Sequence, residues 1–134
     1  MQEECSRIRS VFECSMQDFD VDEQYNCIVL RYVTGYLNDQ ELIGFLSRLG
    51  NMLAESNEKA RRMCQRESFV IVQDQVYQEG VSNSGEFGQR VRSEKSIEAI
   101  FFRTNLEVAK MHGPECFNEK YHNVKIWALG LCDI

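Results

Sequence analysis

The stretch VLRYVTGYLNDQELIGFLSRLGNM, residues 29–52, passes from a β-branched run through a single glycine into an amphipathic pattern, and its reading decides the fold. Asn38 is a good helix N-cap with Glu41 three residues on, the spacing at which the two side chains satisfy each other's free backbone N–H groups. Leu42, Phe45, Leu46, Leu49, Met52 and Leu53 then recur at helical spacing and define one apolar face. Ala60, Met63 and Cys64 carry the stripe further, with Gly50 as the expected break or bend. On the N-terminal side, strand alternation puts Ile28, Leu30 and Tyr32 toward the helices and Val29, Arg31 and Val33 on the opposite face.

Working outward, YNCIVLRYV (25–33) reads as the clearest strand and SFVIVQDQVY (68–77) as a second. QEGVSNSGEFGQ (78–89) is a glycine- and serine-rich loop without the Lys-Ser/Thr ending of a phosphate-cradling loop. VRSEKSIEAIFFR (91–103) reads as a third strand. TNLEVAKMHG (104–113) reads as a short helix, capped by Thr104 or Asn105 and stopped by Gly113 and Pro114. NVKIWALGL (123–131) is strand-like. Residues 7–17 fit either a strand with Ile8, Phe12, Cys14 and Met16 on one face or a helix that groups Cys5, Ile8, Phe12, Met16 and Phe19. The order from Tyr25 is therefore βαββαβ. That order predicts an α+β, ferredoxin-like split βαβ fold: an antiparallel sheet, two helices on one face, the other face open, and an extra N-terminal strand or helix.

With 134 residues, 43% of them hydrophobic, the chain suits one domain, with a core over about residues 25–130 and an extension over 1–24. The 15 Lys and Arg against 21 Asp and Glu give a formal charge of −6, which repels polyanions unless a local patch attracts them. The apolar runs are too short for a bilayer and the N-terminus lacks a signal-peptide centre, so an intracellular protein, cytoplasmic or nuclear, with no membrane association is expected. Six cysteines without a C-x-x-C pair speak against a zinc site and suit reduced thiols. DFDVDE (18–23) lacks the central glycine and closing glutamate of a calcium loop and reads as an acidic turn. His112 and His122 have no adjacent nucleophile. No cofactor and no metal are expected.

Leu42, Phe45, Leu46, Leu49, Gly50 and Met52 are similar to the first helix of the RNA recognition motif, AIFFRTNLEVAKMHG resembles its third strand and second helix, and HNVKIWAL its fourth strand. That resemblance implies a sheet-face binding module, noncatalytic, within an RNA-processing or ribonucleoprotein assembly. The family stacks bases on strand aromatics. In this chain Ile97 and Ala99 stand at those places, so the expected face of Val29, Arg31, Val33, Ile97, Ala99 and Phe101 is aliphatic and suits a protein partner. Direct single-stranded RNA binding through Tyr32, Arg90, Arg92 and Lys95 is the alternative, and a small metal-dependent enzyme of ferredoxin-like fold a further one. Self-association into a homo-oligomer is also open.

Overall fold

The computed structural model describes residues 14, 16, 25–63, 67–77, 90–115 and 122–132. The acidic turn at 18–23, the loop at 78–89 and most of the N-terminal extension lie outside these residues. Within them the order is β1 (Cys27–Arg31), a 3-10 turn (Thr34–Tyr36), α1 (Asp39–Arg62), β2 (Phe69–Val76), α2 (Glu94–Phe102), β3 (Leu106–Glu115) and β4 (Asn123–Leu131).

The α1 start follows local chemistry as expected. The Asn38 N–H donates to Glu41 Oε1 at 3.0 Å and the Glu41 N–H to Asn38 Oδ1 at 2.8 Å, a reciprocal cap. Gly50 does not break the helix. It sits where Asn105 crosses, and a Cβ there would come within 1.9 Å of Asn105 Oδ1.

The second half corrects the expected order. Residues 94–102 form a helix, not a strand: Ser93 caps it by accepting from the Ser96 N–H, and Ile97, Ile100 and Phe101 face inward at helical spacing. Residues 106–115 form a strand, not a helix, held by antiparallel pairing to β4. The sheet runs β1-β2-β4-β3, with β1 parallel to β2 and the other pairs antiparallel. A parallel pair joined through a helix is a βαβ unit, so the sheet is mixed and the ferredoxin-like arrangement does not hold.

Both helices pack on one face of this sheet. Leu30, Val70, Val72, Trp127, Leu129 and Leu106 meet Leu42, Phe45, Leu46, Leu49 and Leu53 of α1 and Ile97, Ile100 and Phe101 of α2. Phe101 meets Trp127 edge to face at 5.4 Å between ring centres. Lys125 is buried beneath α2 and bonds both Glu94 and Glu98, and Glu98 also accepts from the Trp127 indole N–H.

Candidate active site

In open sheets with parallel strands, ligands sit outside the carboxyl ends of the strands. Here the ends of β1 and β2 lie together, because Arg31 pairs with Gln73, and the start of β4 joins them, because Val76 pairs with Asn123. Tyr32 N–H still donates to Gln73 O at 2.8 Å, but Tyr32 itself takes φ 57°. Left-handed backbone at a bulky residue is rare and turns the chain sharply out of the sheet. The 3-10 turn follows at once and carries Tyr36 outward.

Under this turn lies a buried polar cluster. Asp74, at the end of β2, accepts from the Thr34 backbone N–H at 3.0 Å, from the Thr34 hydroxyl, and from the Gln75 N–H at 2.8 Å. Burial pushes the Asp74 carboxyl above the ordinary range, and these hydrogen bonds together with nearby Arg92 only partly offset it. Arg92, 5% exposed, donates to Asp39, Thr34 O and Leu37 O. Tyr36 and Tyr77 flank the cluster, 53% and 43% exposed, whereas the Tyr32 ring lies with Arg31 and Gln73 on the opposite sheet face, its hydroxyl accepting from Gln73 Nε2 at 3.0 Å. Tyr77 also meets the buried His122, ring centres 5.4 Å apart and planes tilted by 37°.

The residues expected to form a binding face are dispersed. Val29 and Arg31 do lie on the sheet face away from the helices, as alternation requires, whereas Val33 is half-buried against the core. Ile97, Ala99 and Phe101 belong to α2. Ile97 and Phe101 are buried under it and Ala99 points to solvent, so no common face exists. Of the expected RNA contacts, Arg92 is committed inside the protein, while Tyr32, Arg90 and Lys95 are exposed on three separate segments. Thr34, Tyr36, Asp74 and Tyr77 were missed. No local signal marked them, because Thr34 and Asp74 meet only once β1 and β2 lie side by side, 40 residues apart in the chain.

A family model described as AdoMet dependent proline di-methyltransferase matches residues 1–130. The chain belongs to this family. A zebrafish (Danio rerio) N-terminal Xaa-Pro-Lys N-methyltransferase 1 is 27% identical over 95% of the chain and 52% of its own length. The cattle (Bos taurus) protein of the same name is 34% identical over 59% of the chain and 31% of its own length. The chain thus spans about half or less of the curated relatives it matches. Among solved structures, a SAM-dependent methyltransferase from Leishmania major superposes with TM-score 0.67 at 17% identity, over 87% of the chain and 43% of that protein. Mitomycin 7-O-methyltransferase superposes with TM-score 0.60 at 16% identity, over 89% of the chain and 33% of that protein. The fold is therefore the Rossmann-like methyltransferase sheet. The resemblance to an RNA recognition motif, the noncatalytic reading, and the RNA-binding and metal-enzyme alternatives that went with it are overturned.

The family's cofactor is S-adenosylmethionine, and the described residues do not by themselves fit it. Nucleoside cofactors at such sheets are held by a glycine-rich strand-to-helix turn and an acidic side chain for the ribose. The β1–α1 junction has one glycine, Gly35, and Asp74 is already engaged by Thr34 and Gln75. What the described residues do present is an aromatic-rimmed edge over a rigid polar base. Among them no group of His, Cys, Asp and Glu is placed to hold a metal ion, and no helix is long and apolar enough to cross a membrane.

Proposed function

We propose that the protein acts in S-adenosylmethionine-dependent methylation of the N-terminal amine of polypeptides that begin Xaa-Pro-Lys, and that the segment from β1 to β4 supplies the acceptor side of the site. Membership of the proline dimethyltransferase family over residues 1–130 carries this reading, and the names of the related proteins supply the acceptor class.

The local chemistry supports it. An N-terminal amine is a cation below a pKa of about 8 and a nucleophile only once deprotonated. Exposed tyrosine rings offer flat apolar faces to a pyrrolidine ring and attract a neighbouring ammonium group through their π clouds. Tyr36, after the end of β1, and Tyr77, after the end of β2, stand exposed where such a chain end would arrive.

The test uses methyl-labelled S-adenosylmethionine with a peptide beginning Xaa-Pro-Lys and the same peptide acetylated at its N-terminus. Label is expected in the free peptide and none in the acetylated one. Equal labelling of both places the methyl group on a side chain and overturns the N-terminal acceptor. No labelling of either, with no binding of the cofactor, overturns the methyltransferase reading for this protein.

A further inference from the structure

Arg92 stands one residue before the Ser93 cap of α2, and its side chain points away from that helix into the base of the β1–α1 turn. The guanidinium reaches three acceptors on that segment. Nε donates to Asp39 Oδ1 at 3.0 Å, Nη1 to Thr34 O at 2.8 Å and Nη2 to Leu37 O at 2.6 Å. These residues bracket the 3-10 turn: Thr34 opens it, Leu37 closes it, and Asp39 begins α1. The main chain adds two more ties. Arg90 N–H donates to Gly35 O at 3.0 Å, and Arg92 O accepts from the Tyr77 N–H at 2.8 Å. One short segment thus fastens the exit of β1 to the exit of β2.

A buried cation is an expensive way to fill space, and apolar side chains of similar volume commonly serve stability as well or better. Among the described residues the one carboxylate it hydrogen-bonds, Asp39, has a side chain 53% exposed, Asp74 acts on it through charge alone, and the other two acceptors are neutral carbonyls. What the fork does supply is direction: planar donors at fixed angles fix the carbonyls of Thr34 and Leu37 relative to each other. The side chain held between those two carbonyls is Tyr36, exposed at the rim.

We propose that Arg92 is a positioning residue for the acceptor: it holds the Thr34–Leu37 turn in the conformation that presents Tyr36 to the incoming chain end. This rests on the methyl-transfer reading. Lysine has one ammonium group in place of the fork and cannot satisfy Thr34, Leu37 and Asp39 in the same geometry.

Steady-state kinetics on the protein with a peptide beginning Xaa-Pro-Lys, together with amide hydrogen exchange, test it. Arg92→Lys should raise the KM for peptide tenfold or more, leave the affinity for S-adenosylmethionine within twofold, and speed exchange at Tyr36 and Leu37. Tyr36→Ala should raise the same KM, and adding Arg92→Lys to it should cost little more, because the arginine acts through the tyrosine. Should Arg92→Lys fail to fold, Asp39→Ala, which removes only the exposed carboxylate partner, should still raise the peptide KM about threefold. An active protein whose folded variants keep the wild-type peptide KM, or whose Arg92 and Tyr36 effects are fully additive, overturns the inference alone. An unaltered protein that methylates no such peptide overturns the function and this inference together.

Discussion

Thr34 shows how much of the site rests on single hydrogen bonds. Its hydroxyl and its backbone N–H both serve Asp74, a carboxyl whose affinity for protons is raised by burial despite those bonds. Thr34→Val keeps the shape and removes one of three donors to Asp74, which should destabilise the protein by about 1–3 kcal/mol at neutral pH, the usual worth of a hydrogen bond to a buried charged group. The pH dependence has a definite sign. A carboxyl whose folded pKa is raised is no burden below its unfolded value, where both states are protonated. Its burden grows as pH rises from there through the folded value. Removing a donor raises the folded value further, so the loss in Thr34→Val should be smallest in acid and larger at neutral pH, as urea denaturation at the two pH values would show. Equal losses at both would mean that Asp74 is not charged in the folded protein. The Asn38–Glu41 cap was legible in the sequence because its partners are three residues apart. The Thr34–Asp74 and Thr34–Arg92 pairs were not, since they close over 40 and 58 residues.

At the scale of elements, two assignments exchanged places for opposite reasons. Residues 94–102 are rich in Ile and Phe, which favour strands, yet their apolar positions fall at helical spacing behind a serine cap. Residues 106–111 are Leu, Glu, Val, Ala, Lys and Met, mostly good helix formers, and only the ladder with β4 makes them a strand. Ile97 therefore packs in the core at 1% exposure and Ala99 does not. Ile97→Asp should cost about 3–5 kcal/mol as an unpaired buried charge, while Ala99→Asp two positions on should stay within about 0.5 kcal/mol. Thermal denaturation of the pair tests the helix, since a strand would put both on one face. Under the same helix, Lys125 is buried while Glu94 and Glu98 reach water. Lys125→Met frees two solvated carboxylates and should cost less than about 1 kcal/mol. Replacing both Glu94 and Glu98 with Gln strands the buried ammonium and should cost about 3 kcal/mol or more. If the lysine variant is the less stable of the two, the carboxylates are not solvated and the account of this triad is wrong.

For the whole molecule, charge and topology decide what the protein can meet. A net charge of −6, with Arg92 consumed inside, works against binding a polyanion. Mixed single-stranded oligonucleotides should therefore show no salt-dependent binding even at low ionic strength, where phosphate contacts are strongest. A filter-binding or anisotropy titration that did show it would mean that a local basic patch outweighs the net charge. The sequence alone determined the first three elements in outline: a strand within residues 25–33, a capped helix with a continuous apolar stripe, and a second strand within residues 68–77. It also determined that Ile28 and Leu30 face the helices and Val29 and Arg31 do not, because period-two and period-3.6 patterns are local properties of side-chain direction. Tyr32, expected beside Leu30, instead leaves the strand at φ 57° and meets Gln73 on the other face. Only the tertiary structure decided that β1 and β2 lie side by side and parallel, that α2 follows before β3, and that Thr34, Asp74 and Arg92 gather at the strand ends rather than on the sheet face. Pairing partners are chosen by contacts between residues far apart in the chain. A local pattern shows which side of an element is buried, and it carries no information on what is buried against it.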